Sequence, residues 1–201
     1  MSDVHCPARL IVARHGEAAY ESDTMTDSGG SLTALGRAQA RELGQRLAGE
    51  RVAGVVCSEL SRAVQTAEIA AAVLDLPVEV RGGLQEFAVG DFLGRPWDPG
   101  VFDPVVAGWL AGDLRAAVPG GETGEQVAGR VLAVLDDVAD RFRGETVLTV
   151  SHGGVILALM GRLAPGSPFA PADVYDVPNC STYLLERDAD GWGVGRGPGS
   201  T

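Results

Sequence analysis

At 201 residues the chain has the length of one domain with a sizeable core, and 45% hydrophobic with 21% charged residues is an ordinary globular composition. A net charge of −11 argues against a nucleic-acid binder or a protein held on anionic membranes, and any anionic ligand must be gripped by local positive charge. There is no apolar signal segment and no apolar run long enough to span a bilayer. Cys6, Cys57 and Cys180 are odd in number, scattered and without metal-ligand spacing, so reduced thiols and a cytoplasmic location are expected. Separately, no cofactor is expected, and a homo-oligomer is allowed.

In chain order, Leu10-Ile11-Val12-Ala13 has the make-up of a buried strand and ends in Arg14-His15-Gly16-Glu17. Carboxyl ends of strands are where open α/β sheets bind ligands, and a histidine fixed beside an arginine can attack phosphorus. Alone, the motif fits a surface Arg-His pair equally well. Ala18 to Gly30 reads as a loop. Thr33 suits the N-cap of a helix over Ala34–Leu47, with Leu35, Leu43 and Leu47 on one stripe and Gly36 and Ala40 bringing the helix close to the sheet. Val52–Cys57 is a second strand. Ser58-Glu59-Leu60-Ser61-Arg62 opens the next helix, whose spacing continues through Val64, Ala67, Ala71 and Leu74. Arg62 falls in its first turn, where a solvated arginine is the ordinary outcome.

Pro77–Val80 reads as a third strand. Glu86 follows, bracketed by apolar residues, a setting in which a carboxylate can act as a general acid and in which most are simply exposed. Residues 88–121 are irregular and carry Phe92, Trp97, Phe102 and Trp109. They read as an inserted lid or pocket wall, or equally as a small helical unit whose aromatics are core. Thr123 with Gln126 fits a capping box, and Val127, Val131, Val134, Leu135, Val138 and Phe142 make an amphipathic stripe. Thr146–Val150 is a fourth strand ending in Ser151-His152-Gly153-Gly154, a second strand-histidine-glycine ending. A helix from Val155 to about Leu163, a strand over Ser181–Glu186, a turn at Asp190-Gly191 and a frayed tail from Gly195 to Thr201 complete the chain.

The alternation predicts a three-layer α/β/α fold with a mostly parallel central sheet. The ends of the first, second and fourth strands then share one edge, so Arg14, His15, Arg62 and His152 converge there. Two histidines and two arginines at three strand ends make a pocket far more plausible than any one of them does.

The motifs Arg14-His15-Gly16-Glu17, Ser31-Leu32-Thr33 before Gly36, Ser58-Glu59-Leu60-Ser61-Arg62-Ala63 with Gln65-Thr66-Ala67, Leu84-Gln85-Glu86 before Gly90, Pro119-Gly120-Gly121-Glu122 and Ser151-His152-Gly153 stand in one order along nearly the whole chain. The set resembles the histidine phosphatases of the phosphoglycerate mutase-like superfamily, branch 1. That resemblance implies one domain of phosphoglycerate mutase-like fold and a phosphoric monoester hydrolase of histidine acid phosphatase type, acting on a small phosphorylated metabolite. It implies His15 as the nucleophile that becomes phosphohistidine. Arg14, Arg62 and His152, with Ser58 and Gly153, would hold the phosphoryl group, and Glu86 would protonate the leaving oxygen. No metal is implied. Many relatives carry Asn where Glu21 stands. Mutase-type members have a substrate-gripping arginine where residues 22–31 have none, and a longer basic insertion where Phe87–Phe92 stands. These absences favour a phosphatase over a bisphosphoglycerate-dependent mutase; a phosphate-binding module without catalysis is the more distant alternative. Arg95 and Arg115 would be solvated, or would contact an acidic substrate.

Overall fold

A computed structural model describes residues 6–20, 23–166 and 177–198. The chain runs β1 (Ala8–Arg14), β2 (Ala18–Ala19), β3 (Ser31–Leu32), α1 (Ala34–Leu47), β4 (Val52–Cys57), α2 (Ser61–Leu74) and β5 (Val78–Val80). Two 3-10 turns, Gly90–Phe92 and Pro99–Phe102, precede α3 (Asp103–Leu110). Then follow α4 (Gly124–Arg141), β6 (Thr146–Ser151), α5 (Gly153–Leu163), β7 (Thr182–Arg187) and β8 (Trp192–Arg196).

Six strands form the central sheet in the order β5-β4-β6-β1-β7-β8. The first four are mutually parallel; β7 is antiparallel to β1, and β8 is antiparallel to β7. Because side chains alternate across a strand, each inner strand supplies two cores. Ile11, Ala13, Val55, Leu148 and Val150 pack with Leu43 and Leu47 of α1 and Ala63 and Ala67 of α2. Leu10, Val12, Val56 and Val147 pack with α3, α4 and α5 through Trp109, Leu135 and Ile156. The result is the expected three-layer α/β/α arrangement. β1 lies between β6 and β7 with both faces covered, which is why its sequence is an unbroken apolar run rather than an alternating one.

The structure departs from the sequence expectations in four places. Leu35 is 53% exposed, and α1 instead buries Gly36, Ala40, Leu43, Gly44 and Leu47. Gly36 serves a loop rather than the sheet: a Cβ there would lie 2.0 Å from the Glu17 carbonyl oxygen. The loop after Glu17 contains β2, paired with β3. Gly195 and Arg196 lie in β8, paired with Leu184 and Tyr183, so the tail does not begin there. Residues 88–121 divide between the two readings. Trp109 is fully buried, donates from Nε1 to the Ala116 carbonyl at 2.8 Å and meets Phe87 edge-on at 5.2 Å. Phe102 continues that edge-to-face chain to Phe92. Trp97 alone of the four is largely exposed. Glu21 lies outside the described residues.

Candidate active site

Register brings the site together. Arg14 pairs with Ser151, and Cys57 with Val150. The ladder continues one residue past both strand ends, with His15 N–H donating to the Ser151 carbonyl and Ser58 N–H to that of Val150, each at 3.0 Å. His15, Ser58 and His152 therefore emerge side by side. The antiparallel β7 starts at the same edge and brings Val177 and Asn179 with it, since Cys180 N–H donates to the Arg14 carbonyl at 3.1 Å.

The His15 ring is 4% exposed. Its Nδ1 sits 2.7 Å from the Gly16 carbonyl oxygen, an acceptor only, so Nδ1 carries the hydrogen and Nε2 the lone pair. Arg62 Nε donates to that lone pair at 3.2 Å. Burial first, then the Arg62 guanidinium and, more weakly, Arg14 push the imidazole down to about 3, the Gly16 carbonyl opposing them. The ring is thus neutral and oriented, with its lone-pair nitrogen beside a cation. The backbone around it is equally fixed. Asn179 Nδ2 donates to the His15 carbonyl at 2.9 Å, and Gly16 N–H donates to Thr66 Oγ1 at 3.0 Å. That hydroxyl in turn donates to the Arg62 carbonyl at 2.7 Å, joining the histidine loop to α2.

Arg62 is 5% exposed, not solvated. Its Nη1 donates to the Gly29 carbonyl at 2.6 Å, and its guanidinium lies 5.7 Å from the centre of the Tyr20 ring. The fully buried His152 has its ring centre 5.2 Å from that of His15. Its Nε2 is 2.8 Å from Ser58 Oγ, so Ser58 meets the second histidine. Burial, then the nearby His15 ring and the cations Arg62, Arg130 and Arg14, hold His152 well below the usual histidine range. Arg14 Nη1 donates to the Val177 carbonyl at 2.6 Å. A Cβ at Gly153 would stand 3.5 Å from Arg14 Nε. Arg14 Nε and His152 Nδ1 are buried polar atoms with no hydrogen-bond partner among the described residues. Unpaired buried polar groups are costly, and these two lie at one strand edge with Arg62.

Glu86 joins the same edge from the far side of β6. Its carboxylate takes Gly154 N–H on Oε2 and Val155 N–H on Oε1, each at 3.1 Å, so it sits on the amino end of α5 just past His152. Arg130 of α4 holds the backbone that carries it. Nη1 donates to the carbonyls of Gly83 at 2.8 Å and Gln85 at 2.7 Å, and Nη2 donates to that of Glu86 at 3.4 Å. Glu122 takes Arg130 Nε and Nη2 at 2.7 and 3.0 Å. The Pro119-Gly120-Gly121-Glu122 motif thereby reaches Glu86 through an arginine that the sequence reading passed over. Asn179 was passed over as well, and Thr66 was quoted without a role; a polar side chain just before or within an otherwise apolar element is the signal each one gives. Arg95 and Arg115 are exposed, and Arg95 lies over the Phe92 ring.

Beside Arg62 opens a cleft of about 520 Å³, walled by Tyr20, Thr24–Thr26, Ser28–Ser31, Ser61 and Leu93–Gly94. Among the described residues no His/Cys/Asp/Glu group could hold a metal ion, and no helix is long and apolar enough to cross a membrane.

Residues 10–196 match the model of the histidine phosphatase superfamily, branch 1. The chain belongs to that family. Histidine phosphatases include both phosphatases and mutases, and those similar to this chain reflect it. It is 29% identical over 195 residues to phosphoglycerate mutase-like protein 4 of Arabidopsis thaliana, covering 93% of this chain and 83% of that one. The native structure of a mycobacterial glucosyl-3-phosphoglycerate phosphatase superposes with a TM-score of 0.73 at 26% identity, covering 96% of this chain and all of the other. A phosphoglycerate mutase from Bacillus anthracis shares the fold, with a TM-score of 0.76 at 21% identity over 96% of this chain and 93% of that one.

Proposed function

We propose that this histidine phosphatase hydrolyses small phosphomonoesters through a covalent phosphohistidine at His15. The observation that carries the reading is the neutral His15 imidazole, its Nε2 lone pair facing Arg62 Nε at 3.2 Å. A bound phosphoryl group takes over the donors of Arg14, Arg62 and His152 and frees that lone pair. Nε2 attacks phosphorus, the bond to the leaving oxygen breaks, and Glu86 gives that oxygen its proton. A water then attacks the phosphorus while the Glu86 carboxylate takes its proton. The N–P bond breaks, inorganic phosphate leaves, and His15 is neutral again. For a loose, highly charged transition state, preorganised cations supply most of the stabilisation. No metal or cofactor takes part.

Hydrolysis rather than transfer is favoured by the cleft beside Arg62, whose described lining side chains carry no cation to retain an acidic intermediate. Rapid quench with labelled substrate tests the route. An acid-labile phosphoenzyme is expected, and it is absent in His15→Ala; an acid-stable adduct overturns the proposal. Beside a phosphate-release assay, a coupled assay with bisphosphoglycerate should show negligible interconversion of 2- and 3-phosphoglycerate, and mutase turnover above phosphate release would promote the mutase reading.

A further inference from the structure

Six large apolar side chains are exposed among the described residues; two of them, Tyr20 and Leu93, line the cleft beside Arg62, and a third, Trp97, stacks on Tyr20 at its edge. Exposed apolar groups clustered at a concave site mark what the site binds. Tyr20 and Trp97 stack with ring centres 5.1 Å apart at 27°, and the Arg62 guanidinium lies over the Tyr20 ring. A column of guanidinium, phenol and indole thus leads from the phosphoryl-holding arginine to an indole that is 45% exposed. The pairing is built in by the backbone, because Trp97 N–H donates to the Asp23 carbonyl at 2.8 Å and Thr24 bridges Pro96. The remaining wall is rich in hydroxyls, with Thr26, Ser28, Ser31 and Ser61 all present, and no described lining side chain is charged.

This wall rejects one class of leaving group and suits another. A carboxylate or second phosphate entering here would lose water with no lining cation to replace it beyond Arg62, which the transferred phosphoryl group engages, against a net charge of −11. A neutral ring with one C–H face and several hydroxyls meets an aromatic surface and hydrogen-bonding oxygens together. From the column and its uncharged wall we infer that, resting on the phosphatase reading above, the leaving group is a neutral hydroxylated ring: the substrate is a sugar or glycoside phosphate monoester.

The test uses glucose 6-phosphate as the neutral ring, 3-phosphoglycerate as the acidic non-ring ester and p-nitrophenyl phosphate as the measure of hydrolysis itself. The sugar ester should exceed 3-phosphoglycerate in kcat/KM by about tenfold or more. Trp97→Ala should cut that ratio about fivefold by raising KM for the sugar ester. Equal or reversed preference, or an unchanged ratio in Trp97→Ala, overturns the inference. Calorimetry with His15→Ala separates the two readings. If the wild-type protein leaves p-nitrophenyl phosphate intact, tighter binding of glucose 6-phosphate than of 3-phosphoglycerate still supports the ring site, and tighter binding of the acid refutes it.

Discussion

The general-acid role proposed for Glu86 can be separated from the other residues of the site by its surroundings. If it protonates the leaving oxygen, Glu86→Gln should slow alkyl phosphates by about 10²–10⁴-fold and slow aryl phosphates with acidic leaving groups far less. Equal losses on both substrate classes would remove it from that role. Gly154 offers the same test without touching the carboxylate. A Cβ there would lie 2.2 Å from Phe87 Cε1 and 2.8 Å from Glu86 Oε1. Gly154→Ala should therefore displace Glu86 and reproduce the alkyl-selective loss, while a phosphohistidine still forms from aryl substrates. A mutant with unchanged kinetics on both would show that the carboxylate tolerates displacement.

Among the elements, α4 anchors the segment that carries Glu86, so the proposed mechanism ties its stability to activity. Arg130 satisfies three carbonyls of the Glu86 segment and pairs with Glu122, so Arg130→Ala strands acceptors that are partly shielded from water. A loss of about 1–3 kcal/mol is expected in denaturant melts. It should come with a greater fall in kcat on alkyl than on aryl phosphates; a stability loss with no kinetic selectivity would make Arg130 purely structural. Most of the elements were legible, because β1, β4 and β6 are short apolar runs and α4 carries its own capping box. β8 was not: Trp-Gly-Val-Gly-Arg has two glycines in five residues, and it is a strand only because β7 offers an edge. The histidines and Arg62 were legible because strand ends and a first turn announce them. Asn179 and Arg130 were not, since their worth lies in backbone carbonyls 164 residues and about 45 residues away.

The whole molecule keeps the His15 imidazole neutral by burial against two guanidinium groups. Its folded pKa is about 3 and its unfolded value 6.5. Between those values the unfolded chain binds the extra proton, so stability is fully present above about pH 6.5 and is lost progressively as pH falls toward 3. His152 shifts in the same direction. The urea midpoint should fall as pH drops from 7 to 4, and His15→Gln should flatten the profile. Inorganic phosphate, binding only the folded cradle, should raise the midpoint at pH 7. A pH-independent midpoint would mean that the histidines are not buried as neutral rings.

The position of β1 between β6 and β7 bears on how the protein is made. Arg9 faces Thr146 on one side and Glu186 on the other, so both neighbours of the strand that leads into His15 belong to the last third of the chain. A ribosome releasing this chain exposes an unpaired apolar strand bearing His15 for most of the time that synthesis takes. Such long-range closure slows folding and leaves a strand edge open to other chains. The strand that carries His15 therefore waits longest for its sheet partners, and a chaperone that shields it would limit pairing with other chains.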